Sequence, residues 1–143
     1  AFGASQSGVL QQGGILVLRS LTSDATPKQL YAGGSTVGSE QVILPNNSAY
    51  SFSGTIIARQ DAASGSNYAS WEIKGALLRD ANAASTVLGN GIINKLFATA
   101  GAAAWDIALT ADTTNGGLAI TATGAASVNI RWVATVNTSE VTY

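Results

Sequence analysis

The chain has 143 residues, a length that suits a single domain with a hydrophobic core of its own. Charged residues make up only 10% of it, against about 25% in an average globular domain, and the formal net charge is −1. There is no Cys and no His, which excludes disulfides and thiol chemistry and removes the most common general base and metal ligand. Without a basic excess or a segment of about 18 apolar residues, we expect no nucleic-acid partner and no membrane insertion. The Gly-rich stretches lack a P-loop lysine pattern, and we expect no cofactor.

Small residues take the place of the missing charges, and Gly alone accounts for 16 of them. A surface with so few charges is prone to self-association. Small side chains also allow the surfaces of identical neighbours to approach closely. We therefore expect the chain to associate with copies of itself.

The first residues differ in composition from the rest. Residues 1–13 (AFGASQSGVLQQG) are rich in Gly, Ser and Gln and show no hydrophobic period, which predicts a flexible arm or linker. Residues 14–143 are predicted to form one domain. Its first strands are a short apolar run at 15–19, a brief strand at 29–31 and a strand at 41–44 that ends at a proline and a turn. Residues 32–39 are predicted to be a loop.

Two long segments then alternate between apolar and polar residues. Residues 50–58 and 69–77 each place their apolar residues at every second position, and the turn 61–66 joins them into a predicted hairpin. Gly54 lies in the middle of the first strand, where a glycine often indicates a bulge or a close backbone approach. Trp71 lies on the apolar side of the second strand and is expected to supply much of the core.

Residues 86–99 are the least clear segment, because the spacing of their last apolar residues partly suits a helix. We favour strands there, since Gly89-Asn90-Gly91 interrupts the run. After a Gly/Ala loop at 100–104, alternation returns and continues to residue 136, with an Asn-Gly turn at 112–116. About eight or nine strands separated by short turns predict an all-β fold, an antiparallel β-sandwich or jelly roll.

The acidic residues have two possible roles, one catalytic and one structural. A pair of carboxylates at a spacing of about 5–9.5 Å is the machinery of glycoside hydrolysis. However, Asp61, Asp80 and Asp112 all stand where a strand enters a turn, and Asp commonly accepts backbone hydrogen bonds there. The run from Asp112 lacks the spacing of a calcium-binding loop. We therefore assign no catalytic residue and no metal site.

Arginines and aromatic residues are also candidates for ligand contact. Binding of an anionic sugar or a phosphate is one interpretation of Arg59, Arg79 and Arg131. Salt bridges are favoured instead, because a chain with few charges usually pairs them. The expected acidic partners are Glu72, Asp80 and Glu140. Stacking on sugars is one interpretation of Trp71, Trp105 and Trp132, but their phase within alternating strands favours the core. Tyr31 and Tyr68 flank Gly/Ser-rich loops and are the better candidates for exposed aromatic rings.

Four segments carry a resemblance to a known family. In chain order they are QVILPNNSAYSFSGTIIARQ (41–60), SWEIKGALLRD (70–80), WDIALTADTTNGGLAITATG (105–124) and NIRWVATVNTSEV (129–141). Together they resemble a domain at the C-terminal end of tail-fibre and related virion proteins of tailed bacteriophages, over roughly residues 14–143. The resemblance implies a trimeric β-sandwich virion module with a structural or host-binding role, not an enzyme. The positions that match the family pattern, taken as architectural, are Arg59, Trp71, Gly75, Arg79, Asp112, Asn115, Gly116, Arg131, Trp132 and Glu140.

Three functions are open at this point. The first is a tail-fibre or tail-tip domain that binds a polysaccharide or protein of the host surface as a homotrimer, through loops rich in Ser, Gly and Asn. The predicted receptor-binding residues are Asp61, Ser64, Ser66, Asn67, Tyr68, Asn82 and Ser85. The second is a capsid decoration or head-fibre protein that uses residues 1–14 as a clamp on other virion proteins. The third, ranked last, is a fragment of a polysaccharide-cleaving tailspike.

The family carries a long shaft before this domain, so the chain is expected to be either a fragment or a small stand-alone virion protein. Either way it is located in the virion, on the tail or the capsid surface.

Overall fold

The computed structural model describes residues 2–6, 9–32 and 41–143, and in these ranges the protein is an antiparallel β-sandwich. The strands are β1 (Phe2–Gln6), β2 (Val9–Thr22), β3 (Lys28–Gln29), β4 (Val42–Ile43), β5 (Ser48–Gln60), β6 (Tyr68–Arg79), β7 (Val87–Ala98), β8 (Asp106–Asp112), β9 (Gly117–Thr123) and β10 (Ile130–Thr142). Two short 3-10 turns cover Ala83–Ser85 and Ala100–Ala102. In the part of the chain described, no helix is long and apolar enough to cross a membrane. The predicted sandwich is confirmed.

The larger sheet has six strands in the order β1-β2-β10-β5-β6-β7, each antiparallel to its neighbours. β2 begins at Val9 and pairs with β10 from Leu10 to Thr22. Residues 9–13 and 2–6 are therefore strands of this sheet, whereas the sequence predicted an arm over 1–13. Glycine and glutamine, which weaken the hydrophobic pattern of a strand, lie here beside a well-formed neighbour that supplies the pairing.

The smaller sheet is built around β9. β8 pairs with one edge of β9 along its whole length, and the two-residue strands β3 and β4 pair with the other edge, at Thr121–Ala122 and Gly117–Leu118 respectively. The second sheet covers one face of the larger sheet and leaves the other face open to solvent. The predicted loop at 32–39 falls, apart from Ala32, outside the described residues.

The core lies between the two sheets, and alternation selects the residues that enter it. In β5 every second side chain is buried, without exception along its length. The indole rings of Trp71, Trp105 and Trp132 meet at the centre: ring centroids are 5.5 Å apart for Trp71 and Trp132 and 6.0 Å apart for Trp105 and Trp132. All three are at most 1% exposed. The tryptophans are thus part of the core and are not available to a ligand.

Two strand features explain the irregular parts of the sequence pattern. A Cβ atom on Gly54 would lie 2.3 Å from the carbonyl oxygen of Thr135, so this glycine permits the close approach of β5 and β10. β7 is a strand, as predicted, and its pairing with β6 shifts register at Ser70/Trp71 and between Lys74 and Ala76. These irregularities break the period of two in β7 and account for its helix-like spacing.

The loops collect at two ends of the sandwich. One end, named the near end, consists of the β5–β6 loop 61–67 and the loop before β10. The two loops meet where the amide of Asp61 donates to the carbonyl of Asn129 at 2.9 Å. The opposite end, named the far end, consists of the turns 44–47, 80–86 and 112–116. Hydrogen bonds join these turns: the amide of Asn47 donates to the carbonyl of Asp80 at 2.8 Å, and the amide of Leu44 donates to the carbonyl of Gly116 at 2.9 Å. The ends hold different candidate residues.

Candidate binding cleft

The predicted receptor-binding residues fall into two separate groups. Asp61, Ser64, Ser66, Asn67 and Tyr68 lie at the near end. Asn82 and Ser85 lie beyond the other end of β6. The two groups lie at opposite ends of β6, whose twelve residues span roughly 40 Å at about 3.3 Å per residue. The two groups therefore do not form one binding site.

The near-end loop 61–67 is held by its own polar side chains. A carboxylate oxygen of Asp61 accepts from the amide of Ala63 at 3.0 Å. The buried side chain of Gln60 donates to the carbonyl of Ser64 at 2.9 Å and accepts from the side-chain amide of Asn67 at 2.9 Å. Asn67 in turn accepts from the hydroxyl of Thr99 at 2.8 Å. Asp61 and Asn67 therefore fix the loop on its scaffold, and other groups are exposed for contact with a ligand.

The far-end candidates are likewise engaged in a turn. The side-chain oxygen of Asn82 accepts from the amide of Ser85 at 3.1 Å. The hydroxyl of Ser85 donates to the carbonyl of Asn82 at 2.6 Å and accepts from the amide of Asp80 at 2.9 Å. This arrangement caps the 3-10 turn that follows.

At the near end, four exposed side chains form a row across the open face of the larger sheet. Strand register places Arg131 opposite both Leu21 of β2 and Arg59 of β5, and Arg59 opposite Tyr68 of β6. Directly opposed residues share a face of the sheet. Tyr68 is 43% exposed and its ring contacts that of Phe97 at 5.2 Å between centroids. Tyr31, the other predicted aromatic, is half-buried.

An open cleft of about 390 Å³ adjoins this row. Its lining residues are Leu21, Arg59, Gln60, Asp61, Ala62, Asn129 and Arg131. The cleft thus combines an apolar side chain that is 53% exposed, Leu21, with two arginines and two amide residues, Gln60 and Asn129. The lining residues belong to the paired strands β2, β5 and β10 and to the loops beside them, and the hydrogen bonds of loop 61–67 give that part of the cleft a preformed shape.

The salt bridges expected for the three arginines are not formed, and that prediction is wrong. Within residues 12–32 and 41–143, the ion pair between Lys74 and Glu72, at 3.5 Å, is the one salt bridge of the described side chains. Glu140 points into the sandwich and is only 6% exposed, whereas Arg131 is an odd number of residues away on the same strand and faces outward. Glu140 accepts from the side-chain amide of Gln12 at 2.7 Å and from the hydroxyl of Thr138.

Arg79 has a structural role at the far end. Its guanidinium donates to the carbonyl of Leu44 at 2.6 Å and to the side-chain oxygen of Asn46 at 2.8 Å. Gly116 has φ of +83° and leaves room for it, because a Cβ atom there would lie 2.1 Å from a guanidinium nitrogen of Arg79. The far end thus holds an arginine that already donates hydrogen bonds within the fold from Nε and from one terminal nitrogen.

Asp112 organises the β8–β9 hairpin next to Arg79. Its carboxylate accepts from the side-chain amides of Asn115 at 2.8 Å and Gln41 at 2.9 Å and from the amide of Thr114 at 3.1 Å. Burial raises the pKa of Asp112, but these hydrogen bonds together outweigh it and lower the pKa below its ordinary value. Among the residues that the structure describes, no three His, Cys, Asp or Glu side chains group together as a metal site would require.

Sequence reasoning missed Leu21 and Asn129 and treated Arg59 and Arg131 as architectural. The sequence did carry one signal for the two arginines. Each alternates with the buried residues of its own strand, which indicates that its side chain faces outward. Their proximity, however, depends on the pairing of β5 with β10. Those strands are not consecutive in the chain, and no single-strand pattern indicates which pair forms.

Solved structures of low similarity include two phage tailspikes. No family model matches the sequence, and no curated protein matches it. The chain is similar over 87% of its length to the tailspike protein of Acinetobacter baumannii phage AM24, with 9% identity and a TM-score of 0.39, and covers 26% of that chain. It is similar over 99% of its length to the tailspike protein of Acinetobacter phage vB_ApiP_P1, with 15% identity and a TM-score of 0.35, and covers 25% of that chain. The chain thus spans about a quarter of each tailspike, and likenesses with such low TM-scores carry no argument about function.

Proposed function

We propose that the chain is a tail-fibre or tail-tip domain of a bacteriophage virion whose near end binds a glycan of the host surface. The observation that carries the proposal is the row of exposed Leu21, Arg131, Arg59 and Tyr68 beside a preformed cleft. The phage assignment rests on the sequence resemblance over residues 14–143. The near end is favoured over the far end because Arg59 and Arg131 donate no hydrogen bond within the described residues, whereas Arg79 already donates from two of its nitrogens.

The composition of the row suits a sugar. A pyranose ring offers hydroxyl groups at its edge and C–H groups on its faces, so it needs polar groups beside an apolar or aromatic surface. Tyr68 and Leu21 supply such surfaces at the two ends of the row, and the guanidinium groups between them supply hydrogen-bond donors. Loop 61–67 holds this arrangement in place before the ligand arrives, which reduces the entropy lost on binding.

We propose binding without cleavage. Glycoside hydrolysis commonly uses two carboxyl groups on either side of the scissile bond. The residues that line the cleft include one carboxylate, that of Asp61, and it already accepts a backbone hydrogen bond within the loop. This lining supports a binding role.

An array of bacterial surface polysaccharides tests the proposal. In one variant, Leu21→Ser and Tyr68→Ser remove the two apolar ends of the row, while loop 61–67 is kept because it holds the rim of the cleft. The control variant carries Leu78→Ser and Val87→Ser, which remove two similarly exposed apolar side chains from the same sheet outside the row. We expect the first variant to lose array binding and the second to retain it, with both folded by circular dichroism. Retention of binding by the first variant, or no glycan bound by the wild-type protein, would contradict the proposal.

We further propose that the chain forms a homotrimer, with copies of itself as partners, through an apolar strip on the open face of the larger sheet. The strip consists of Ile15, Val17, Ile57 and Val133, which are 58%, 52%, 46% and 39% exposed. Val133 lies directly opposite Ile57 of β5, and Val17 of β2 pairs with Thr135, two residues along β10 from Val133, so Val17 is its diagonal neighbour on the same face. Exposed apolar patches rimmed by polar residues mark interaction surfaces. The four residues of the strip carry no charge, and Arg19 borders them opposite Val133, so the strip itself suits the same strip of a second copy better than a charged partner.

Sedimentation velocity tests the oligomer with a matched pair of variants. Val17 and Val87 are both 52% exposed and both face outward from the same sheet, but only Val17 belongs to the strip. We expect Val17→Asp to shift the protein from trimer to monomer and Val87→Asp to leave it trimeric. A wild-type monomer, or equal behaviour of the two variants, would contradict the assignment.

Capsid decoration is the alternative location. In that alternative, residues 1–14 act as a clamp on other virion proteins. In the structure, however, residues 2–6 and 9–14 pair within the larger sheet of the domain itself. The tail location is therefore the one we propose. Immunogold electron microscopy of the virion with an antibody to this chain distinguishes them: label at the tail supports the proposal, and label over the head supports decoration.

A further inference from the structure

The basic residues of the chain divide into two groups by their contacts. Four of the seven have hydrogen-bond or ion-pair partners: Lys28, Lys74, Arg79 and Lys95. The other three are Arg19, Arg59 and Arg131. Within residues 12–32 and 41–143, no side-chain or backbone oxygen accepts a hydrogen bond from their guanidinium groups, and no carboxylate lies within 4.0 Å of them.

These three arginines occupy the same corner of the open sheet face. Arg131 is directly opposite Arg59, and Arg19 stands two residues along β2 from Leu21, the other partner of Arg131. Like charges at directly opposed positions destabilise a sheet. A chain with a net charge of −1 therefore concentrates unpaired positive charge next to its cleft. An anion bound there would offset the repulsion.

The nearest acidic side chain does not fulfil that role. Asp61 lines the cleft, but its carboxylate forms no ion pair with either Arg59 or Arg131 and accepts from the amide of Ala63. The carboxylate of Glu72, on the same face, pairs with Lys74. The guanidinium groups of the cleft are thus free to form paired hydrogen bonds with a ligand.

We infer that the cleft selects an acidic glycan and that Arg59 and Arg131 bind its anionic group, a carboxylate of a uronic-type sugar or a phosphate ester. Guanidinium presents a planar fork that matches both oxyanions, and charge-assisted bonds of this kind are the stronger ones. Leu21 and Tyr68 would flank the sugar rings on either side of the anion. This inference rests on the proposed function and adds the chemical class of the ligand.

Affinity electrophoresis provides the test, with the mobility of each protein normalised to a gel without polymer. The gels contain polygalacturonate as the carboxylate probe, phosphomannan as the phosphate probe, or dextran as the neutral probe. The proteins are the wild type, the double variant Arg59→Gln/Arg131→Gln, and Lys74→Gln as a control that removes one positive charge from the same face. Arg59→Lys separates charge from the fork geometry.

We expect at least one acidic polymer, and not dextran, to retard the wild type, with retardation that falls as NaCl rises. The double variant should bind at least about tenfold more weakly and the Lys74 variant should match the wild type, while Arg59→Lys gives an intermediate value. The polymer that retards the protein identifies the anion as carboxylate or phosphate.

Several results would overturn the inference. They are equal retardation by dextran, no retardation by either acidic polymer, or a double variant that binds like the wild type. If the double variant changes the sedimentation coefficient of the unliganded protein, the arginines bind carboxylates of a neighbouring copy instead. If every polysaccharide bound on the array is neutral, the inference is wrong while the proposed glycan-binding function stands. If the array shows no binding, the proposed function itself fails.

Discussion

The two ends of the sandwich use arginine in opposite ways. At the far end, Arg79 donates to Leu44 and Asn46 and closes the space left by Gly116. At the near end, Arg59 and Arg131 stand side by side with no partner in the described part of the chain. The comparison indicates that the far end stabilises the domain and that the near end retains binding capacity, so the same substitution should have different effects at the two ends.

The largest expected effect on stability is at Arg79. Arg79→Gln removes two charge-assisted hydrogen bonds and leaves the carbonyl of Leu44 without its donor, which should lower the free energy of unfolding by about 2 kcal/mol. Urea denaturation monitored by tryptophan fluorescence measures it. An effect no larger than that of Arg59→Gln would contradict the structural role of Arg79.

A smaller loss is expected at the base of the near-end loop. Asn67→Ala breaks the link between Gln60 and Thr99 and should cost about 1 kcal/mol, because it leaves part-buried polar groups unpaired. Hydrogen exchange of the 61–67 amides should accelerate more than exchange in the far-end turns. Ser66→Ala is the control, since that side chain is exposed. Equal exchange rates in both variants would show that the loop does not depend on this link.

The pH dependence of stability sharpens the description of the far end. Because its pKa is lowered on folding, ionised Asp112 contributes stability that is complete above its unfolded pKa of about 3.9 and is lost as the pH falls through the lower folded value. Asp112→Asn should therefore be less stable than the wild type at pH 6, with a difference that shrinks below about pH 4. Denaturation series at both pH values measure it. A difference that does not change with pH would contradict the role of the charge.

The smallest expected effect on stability is at the near-end pair. Arg59→Gln/Arg131→Gln removes no hydrogen bond within the described structure and relieves a like-charge contact, so stability should change by no more than about 0.5 kcal/mol or rise slightly. The same double variant should lose the acidic glycan. A stability loss comparable to that of Arg79→Gln would mean that the pair has a structural role, and the comparison between the two ends would fail.

The sequence predicted the sandwich well because alternation reports burial directly. The inward residues of β5, from Tyr50 to Ala58, and the core position of Trp132 follow from a period of two alone. Where pairing overrides local pattern, prediction was weaker: residues 9–13 lack a strand pattern yet pair with β10. The arm assignment differed from the structure for that reason.

The candidate site was predicted only in part, because it depends on contacts between distant segments. The turn at 61–66 was predicted, but the cleft beside it was not, and Asp61 and Asn67, predicted to bind a receptor, hold the loop. The expected salt bridges of Arg131 failed because Glu140 lies on the opposite face of the same strand. A residue's face follows from the sequence; the neighbours on that face follow from strand order, which a single sequence does not reveal.

An NMR titration of ¹⁵N-labelled protein with a polysaccharide bound on the array tests the central claim most directly. The account predicts that the largest shift changes occur at Leu21, Arg59, Arg131 and Tyr68, including the side-chain Nε–H signals of the two arginines. Signals of Arg79, Asn82 and Ser85 should remain in place. Shift changes centred on the far-end turns 80–86 and 112–116, with the near-end row unchanged, would contradict the account.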